Sequence, residues 1–234
     1  MDLYFEIKKQ RDKLEAPVDS MGSSCVGHAY PKDIKNFQIL VFLLLSSQTK
    51  DEITYSAIES LNGTLGILTP ENVLNSREED VSKCLKKVGF HNKKLKFLYE
   101  ISRKVKDKMP ETFEELLKLP GVGKKMANLY LNHALGRNEG ISVDTHVHRV
   151  SNRIGLVCTK DPEHTRRALE SIFDRDEWPE VNRVFVGFGQ MICKAIKPKC
   201  GECSVQDRCP YYNMVIASKN NKVNSKVNGS NTSS

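Results

Sequence analysis

Signals for the start of a helix recur along this chain, whereas patterns typical of strands are nearly absent. Thr69-Pro70 and Asp161-Pro162 each place a capping oxygen before a proline at the first helical position. Thr112 and Glu115 form the capping-box pattern, in which the two residues cap each other's backbone N–H groups. These signals predict an all-α fold built from roughly ten short helices.

The apolar residues predict which helices are buried. Residues 38–45 are apolar on all sides, which is typical of a central helix. A second helix is predicted between residues 92 and 109, because its apolar residues recur every three or four positions. These residues are Leu95, Leu98, Ile101 and Val105. The longest unbroken apolar run is Ile39 to Leu45. It is far shorter than the roughly 18 residues of a membrane span, so we expect no contact with a membrane.

The charge balance suggests a polyanionic partner. The chain has 36 Lys and Arg against 29 Asp and Glu, a formal net charge of +7. Residues 83–125 contain 13 basic and 5 acidic residues, so this stretch alone carries an excess of eight positive charges. A solvated helix face or a nucleic-acid contact surface would each explain the excess. The first fifteen residues alternate in charge, and we expect neither a secretory signal nor a transit peptide there.

Four of the seven cysteines lie close together near the end of the chain, spaced Cys193-x6-Cys200-x2-Cys203-x5-Cys209. A secreted disulfide scaffold would distribute its cysteines more evenly, so we expect a reducing compartment and one metal site. Four thiolates at this spacing bind either zinc or an iron–sulfur cluster. Structural zinc sites usually have two C-x2-C pairs, and this segment has one, which favours the cluster. Lys194, Lys197 and Lys199 lie between the first two ligands and suit contact with phosphate, although ordinary surface lysines would look the same.

A glycine-containing turn, Leu119 to Lys125, joins two predicted helices. Gly121 and Gly123 would let a phosphate approach the backbone closely, and the N-terminus of the second helix would favour a negative charge there. Lys124 and Lys125 follow directly. The segment is not a P-loop, since Met126 occupies the position of the required Ser or Thr. A plain connection between two helices is the alternative.

Two residues near helix starts are candidates for chemistry. The positive end of the helix, the neighbouring Lys124 and partial burial would each disfavour the ammonium form of Lys125. A neutral lysine amine is a nucleophile that can form a Schiff base. Asp144 follows a short apolar run and is predicted to cap a helix. An ionised capping carboxylate could also stabilise positive charge that develops on a sugar ring. The alternative for Lys125 is a phosphate contact or a solvated lysine, and the alternative for Asp144 is a helix cap alone.

Together these segments resemble the endonuclease III family of helix–hairpin–helix DNA repair enzymes. The turn at 119–125, the segment Val143-Asp144-Thr145-His146 and the 6-2-5 cysteine spacing occur in the family's order. Segments 16–19 and 45–51 resemble the eukaryotic branch in particular. The resemblance covers residues 5–212. It implies a two-lobed all-α fold with a C-terminal [4Fe-4S] cluster held by Cys193, Cys200, Cys203 and Cys209.

The resemblance also implies a domain division and an activity. A six-helix barrel domain with the hairpin would span residues 29–138, and a discontinuous cluster domain would comprise 1–28 and 139–212. Residues 213–234 are rich in Ser, Asn and Lys, which predicts a disordered polar tail. The family's activity is that of a bifunctional DNA glycosylase and abasic-site lyase for oxidised pyrimidines in base excision repair.

By the same resemblance, individual residues take roles on DNA. Lys125 matches the catalytic lysine and Asp144 the catalytic aspartate. Gln48 matches the glutamine that enters the space left by a flipped nucleotide. Phe90 falls where the family has an apolar wedge, although a core aromatic is equally expected from the residue itself. Gly121, Gly123 and Lys124, with the three lysines of the cysteine segment, would contact phosphates.

Three rival functions remain open. An adenine-mismatch glycosylase shares the fold, aspartate and cluster, but lacks a lysine at the position of Lys125 and has a further C-terminal domain. A non-catalytic DNA-binding module would not need Lys125, and a soluble electron carrier would need neither Asp144 nor the hairpin. The preferred reading predicts a monomer that binds double-stranded DNA containing oxidised pyrimidines or abasic sites. It also predicts location in the nucleus, with a mitochondrial pool open.

Overall fold

The computed structural model describes residues 1–215, which form helices and loops without a β-strand. The α-helices are α1 (Asp2–Arg11), α2 (Pro17–Met21), α3 (Lys32–Ser46), α4 (Asp51–Leu65), α5 (Pro70–Asn75), α6 (Glu78–Leu85), α7 (His91–Val105), α8 (Phe113–Leu117), α9 (Lys124–Leu135), α10 (Thr145–Arg153), α11 (Pro162–Glu170) and α12 (Trp178–Met191). Four short 3-10 helices lie at Ser23–Cys25, Arg175–Glu177, Cys200–Glu202 and Gln206–Arg208. The all-α prediction is confirmed.

The described chain divides into two compact units. One contains residues 1–14, 143–172 and the chain from residue 184, and the other contains 15–142 and 173–183. The domain bounds expected from the resemblance stay a prediction. A further helical segment at 210–215 includes the first three residues of the predicted disordered tail, so the prediction is wrong for residues 213–215. The rest of that tail lies outside the described residues.

Helix starts occur where the sequence signals them. The Thr69 hydroxyl accepts a hydrogen bond from the Asn72 N–H at 3.2 Å, and an Asp161 carboxylate oxygen accepts one from the His164 N–H at 3.0 Å. The Glu115 N–H donates to Thr112 Oγ1 at 3.2 Å, and the Glu115 carboxylate accepts from the Thr112 N–H at 3.1 Å. Each cap satisfies N–H groups that have no partner within the first turn of a helix.

The core of the unit with residues 15–142 forms around α3. All residues of α3 from Asn36 to Leu45 are buried, so the predicted central helix is confirmed. Helices α4, α7 and α9 pack against it. The four apolar residues predicted to share one face of α7 are likewise all buried. Burial on this scale is the main term that stabilises such a unit, at about 25 cal/mol for each Å² of apolar surface removed from water.

In the other unit, the N-terminal helix α1 packs against residues from the end of the chain. The Tyr4 ring meets the Phe185 ring edge-on, with centroids 5.5 Å apart. Arg11 is 1% exposed and crosses α12 at Gly187, where a Cβ atom would lie 1.9 Å from Arg11 Nε. Gly187 is therefore required by close packing. Gln10 binds the loop beyond α12, since its Oε1 accepts from the Ser204 N–H at 2.8 Å.

A buried histidine makes the stability of the fold depend on pH. Burial, with a smaller contribution from the charge of Lys35, lowers the pKa of His133 to about 4. Between pH 6.5 and 4 the unfolded chain therefore binds a proton here that the folded chain does not. We expect the free energy of unfolding to fall as the pH is lowered through this window, and to fall less in His133→Gln. Urea unfolding at several pH values measures this. The exposed His28→Gln is the control, and an equal pH slope in wild type and His133→Gln would contradict the expectation.

Candidate active site and metal centre

The glycine turn between α8 and α9 is a tight hairpin. Its two glycines differ in backbone conformation and in the space around them. The Val122 N–H donates to the Leu119 carbonyl at 3.2 Å and closes the turn. Gly121 has φ +78°, and a Cβ atom there would lie 2.6 Å from the Phe97 ring of α7. Gly123 has φ −106°, and a Cβ atom there would meet nothing within 4 Å. The fold thus requires glycine at 121 only, and the open side of Gly123 leaves its backbone accessible from outside.

Lys124 and Lys125 are the first two residues of α9, so both lie at the helix end whose free N–H groups carry partial positive charge. Both are exposed. The partial burial expected for Lys125 is therefore not found, because the side chains of this first turn leave the hairpin towards solvent. The positive end of the helix and the neighbouring Lys124 are present at this position, as the sequence predicted.

Asp144 caps the N-terminus of α10, as the sequence predicted. Its Oδ1 accepts hydrogen bonds from the His146 N–H at 2.8 Å and the Val147 N–H at 2.9 Å. The carboxylate is half-buried. Two N–H groups and the positive end of the helix hold it in one orientation, which a group that stabilises a developing positive charge requires.

Gln48 and Phe90 share an unusual backbone geometry. In residues 1–215, positive φ outside glycine occurs at Gln48 (52°), Phe90 (56°) and Lys197 (50°). Left-handed backbone is costly for residues with a Cβ atom and concentrates at functional sites. All three had been singled out from the sequence as contacts to DNA. Phe90 is 64% exposed, so the interpretation as a core aromatic is wrong. The role as an apolar wedge stays a prediction.

A buried lysine that the sequence reasoning missed contacts the loop of Gln48 and lies one helical turn after Phe90. Lys94, in the first turn of α7, is 5% exposed, and burial lowers its pKa to about 8. Its ammonium donates to the Leu45 carbonyl at 2.7 Å, the Ser47 carbonyl at 2.5 Å and Thr49 Oγ1 at 3.2 Å. The sequence does contain a signal for the burial of Lys94. Position 94 precedes Leu98 by four residues and so lies on the apolar face of α7.

The four clustered cysteines line one cavity beyond the end of α12. This cavity measures about 340 Å³, including the part open to solvent. Its other lining residues are mainly apolar or aromatic: Ile154, Phe188, Ile192, Pro198, Gln206, Tyr211 and Tyr212. Burial raises the pKa of the Cys203 thiol to about 11, so an apolar site disfavours the thiolate unless a metal binds it. Within residues 1–215, no group of three or more metal-binding side chains is gathered around a point suited to one ion. Four soft donors around a shared apolar space suit an iron–sulfur cluster.

Two arginines of α10, also missed in the sequence, fix the start of the cysteine segment. Arg149 donates to the Cys193 carbonyl from Nε at 3.1 Å and from Nη2 at 3.0 Å, and to the Gly189 carbonyl at 3.1 Å. Arg153 donates to the Lys194 carbonyl at 2.7 Å and lies 3.7 Å from Cys193 Sγ. Its guanidinium stacks on the Tyr211 ring, 4.2 Å from the centroid. Arginines four residues apart on one helix are the only sequence signal for this arrangement.

The three lysines between Cys193 and Cys200 are all exposed. Lys199 pairs with Glu202 at 3.1 Å, so part of its charge is already balanced. Lys197 has the positive φ noted above. Lys194 and Lys197 are therefore the stronger candidates for phosphate contact.

Comparison with known proteins points to one family. A family described as HhH-GPD superfamily base excision DNA repair protein matches residues 41–175, and the iron–sulfur binding domain of endonuclease III matches residues 193–209. An endonuclease III homolog of Encephalitozoon cuniculi is 49% identical over 90% of this chain and 93% of its own length. An endonuclease III-like protein of Gallus gallus is 42% identical over 87% of this chain and 74% of its own. The chain spans 56% of a chloroplastic Arabidopsis thaliana homolog that is 42% identical.

A solved structure of a trapped endonuclease III–DNA covalent intermediate has the same fold, with a TM-score of 0.73 at 24% identity over 91% of this chain and 98% of that one. A noncovalent endonuclease III–DNA complex matches equally well, with a TM-score of 0.73 over 92% of this chain.

The hairpin, the aspartate cap and the cysteine cavity define a helix–hairpin–helix base excision DNA repair protein. Within that class, the chain belongs to the endonuclease III family. It is a DNA glycosylase and abasic-site lyase that carries an iron–sulfur cluster, so the predictions of activity and cofactor are confirmed. The zinc alternative and the non-enzymatic rivals are set aside. No helix within residues 1–215 is long and apolar enough to cross a membrane.

Asp144 allows its capping role to be separated from its charge. Asparagine caps helices as well as aspartate does, whereas alanine at a cap costs about 1 kcal/mol. We expect Asp144→Ala to lower the free energy of unfolding by that amount and Asp144→Asn to leave it nearly unchanged. Both variants should lose most of the base-excision rate, because neither carries the negative charge. Urea unfolding and single-turnover excision measure the two effects. An Asp144→Asn variant with the wild-type rate would show that the residue is a cap and nothing more.

The cysteine cavity predicts a coloured protein. We expect purified wild type to be brown and to contain iron and sulfide, and Cys203→Ser to lose most of both together with thermal stability, because a thiolate ligand is gone. Cys158→Ser is the matched control, since Cys158 is an exposed cysteine outside the cluster segment. Absorption spectra with iron and sulfide analysis measure this. A colourless wild type that contains zinc would contradict the assignment.

Proposed function

We propose that Lys125 is the nucleophile of the glycosylase and lyase reaction and that Asp144 stabilises the charge that develops on the sugar. What most supports the assignment is the position of Lys125 in the first turn of α9, two residues after the open backbone of Gly123. A phosphate bound at that helix end would bring the deoxyribose attached to it close to the Lys125 amine.

The chemistry follows from the two side chains. The damaged nucleotide must leave the base stack before C1′ can be reached, at a cost of a few kcal/mol. The Lys125 amine then forms a bond to C1′ while the bond from C1′ to the base breaks, and the base departs with the electron pair and takes up a proton. The Asp144 carboxylate stabilises the positive charge on the sugar during this step.

Strand cleavage uses the same covalent bond. Ring opening gives a protonated Schiff base between Lys125 and C1′, which withdraws electrons and acidifies the C2′ proton. Removal of that proton forms a C2′–C3′ double bond and expels the 3′ phosphate, which completes the β-elimination. Water then hydrolyses the Schiff base and releases the lysine amine.

Several exposed groups support contact with the DNA around the lesion. We propose that Gln48 fills the space left by the extruded nucleotide and that Phe90 wedges between neighbouring bases. Gly121, Gly123 and Lys124 would position the backbone on one side, and Lys194, Lys197 and Lys199 would bind phosphates through the cluster segment. The cysteines Cys193, Cys200, Cys203 and Cys209 would hold that segment by four iron–thiolate bonds. Binding through phosphates is tolerant of sequence and weakens as salt rises.

The finer assignments belong to the same proposal. The substrate is double-stranded DNA with oxidised pyrimidines or abasic sites, and the enzyme acts as a monomer. The unit with residues 15–142 corresponds to the barrel domain, and the unit with the cysteines to the cluster domain. We propose the nucleus as its location, with a mitochondrial pool as the alternative, because the relatives with 42% or higher identity are eukaryotic.

Borohydride trapping tests the nucleophile. Incubated with abasic DNA and sodium borohydride, wild type should form a covalent adduct, because reduction converts the Schiff base to a stable amine. Lys125→Ala should form none, and peptide mass spectrometry of the wild-type adduct should place the sugar on Lys125. Lys118→Ala is the control for a lost charge close to the hairpin, since Lys118 is exposed. Full adduct formation by Lys125→Ala, or a sugar on another residue, would overturn the assignment.

A further inference from the structure

The C-terminus of α3 ends in buried carbonyl groups that need a hydrogen-bond donor from outside the helix. The carbonyl groups in the last turn of any α-helix have no partner within the helix. Helix α3 is buried along residues 36–45, so water does not readily reach these groups. The ammonium of Lys94 supplies the donors, to the carbonyls of Leu45 and Ser47. A cation also suits the partial negative charge at this end of a helix.

The same ammonium reaches the loop that presents Gln48. Lys94 Nζ lies 3.2 Å from Thr49 Oγ1, and Thr49 Oγ1 in turn donates to the Ser47 carbonyl at 3.2 Å. Gln48 stands between these two residues with its side chain exposed and its backbone left-handed. Contacts on both sides therefore hold an otherwise unfavourable conformation of Gln48.

Thr49 also binds the loop that presents Phe90. The Gly89 N–H donates to Thr49 Oγ1 at 3.1 Å. The two loops pack backbone against backbone here, because a Cβ atom on Gly89 would lie 2.5 Å from the Gln48 carbonyl oxygen. Phe90 follows directly, left-handed and exposed, and is the N-cap of α7, the helix that carries Lys94. One hydroxyl and one ammonium thus join both loops.

We propose that Lys94 is a positioning residue that holds Gln48 and Phe90 as one rigid element, so that both enter the DNA duplex together when a nucleotide is extruded. The inference rests on the proposed roles of Gln48 and Phe90. The burial of Lys94 supports it, since a buried lysine with a lowered pKa is expensive to keep and an apolar side chain would fill the same space on α7 at less cost. In return, the Lys94 ammonium holds the loops of Gln48 and Phe90 in a fixed arrangement.

The proposal predicts a loss confined to steps that need insertion into a duplex. Lys94→Met keeps the apolar stem and removes all three hydrogen bonds. We expect single-turnover release of an oxidised pyrimidine from duplex DNA to slow by about 10- to 100-fold, as a misplacement of about 1 Å can cause. Cleavage of a single-stranded oligonucleotide with a preformed abasic site needs no insertion and should change far less. The fluorescence rise of 2-aminopurine, placed opposite the lesion, should be lost in parallel with duplex activity.

Further variants separate positioning from general stability. Thr49→Val removes the shared hydroxyl at nearly constant shape and should reproduce the defect if Lys94→Met does not fold. Lys106→Met, an exposed lysine just after α7, is the matched control and should behave as wild type in every assay. Adding Phe90→Ala to Lys94→Met should cost little more than either change alone, because both act on the same step.

The outcomes distinguish this inference from the proposed function. Equal losses on duplex and single-stranded DNA, or normal duplex activity and fluorescence in folded Lys94→Met and Thr49→Val, would overturn the positioning role while the Lys125 adduct still forms. Full duplex activity in both Gln48→Ala and Phe90→Ala would overturn it as well, since nothing would then need positioning. Failure of wild type to form the borohydride adduct would instead overturn the proposed function.

Discussion

In the unit that contains the four cysteines, helix α10 positions both the candidate catalytic carboxylate and the first cluster ligand. At the first turn, two backbone N–H groups hold the Asp144 carboxylate. Near the last turn, Arg149 and Arg153 hold the carbonyls of Cys193 and Lys194. A helix of this length is rigid, so the orientation of the carboxylate and the position of the first cluster ligand are fixed together.

In the unit with residues 15–142, a single buried side chain likewise holds two functional segments. Its central helix ends at a buried site, and the ammonium that satisfies that end also orders the loops of Gln48 and Phe90. Left-handed backbone occurs at both residues, where glycine would be the ordinary choice. The side chains at these positions therefore carry enough benefit to offset the strain, which is what a group inserted into DNA would provide. Gly121 shows the converse case, since Phe97 leaves no room there for a side chain.

The sequence predicted the parts of this protein that depend on local physics. Caps at Thr69, Thr112 and Asp161, the buried central helix and the apolar face of α7 each follow from a side chain and its near neighbours, and each is found. The spacing of the four cysteines likewise predicted the iron–sulfur cluster without knowledge of the fold. Exposure of Lys125 was not predicted, because burial depends on which surface the hairpin turns outward. The roles of Lys94, Arg149 and Arg153 were missed for a related reason, since their partners lie 40 or more residues away in sequence.

Lys94 also shows why such a residue is hard to recognise and why it matters. On its helix it occupies a position that the period of the apolar residues assigns to the core, so a rule based on pattern alone expects Leu or Met there. Methionine would keep the packing and remove the desolvation cost, but it would leave the end of α3 without a donor and the two loops without a common anchor. Stability of α7 and order in the loops therefore favour different residues at position 94. Local rules are broken in this way where function outweighs packing. The lysine binds Ser47 and Thr49, on either side of Gln48, and follows Phe90 by one helical turn, so it contacts the backbone next to both residues that we assign to the DNA duplex.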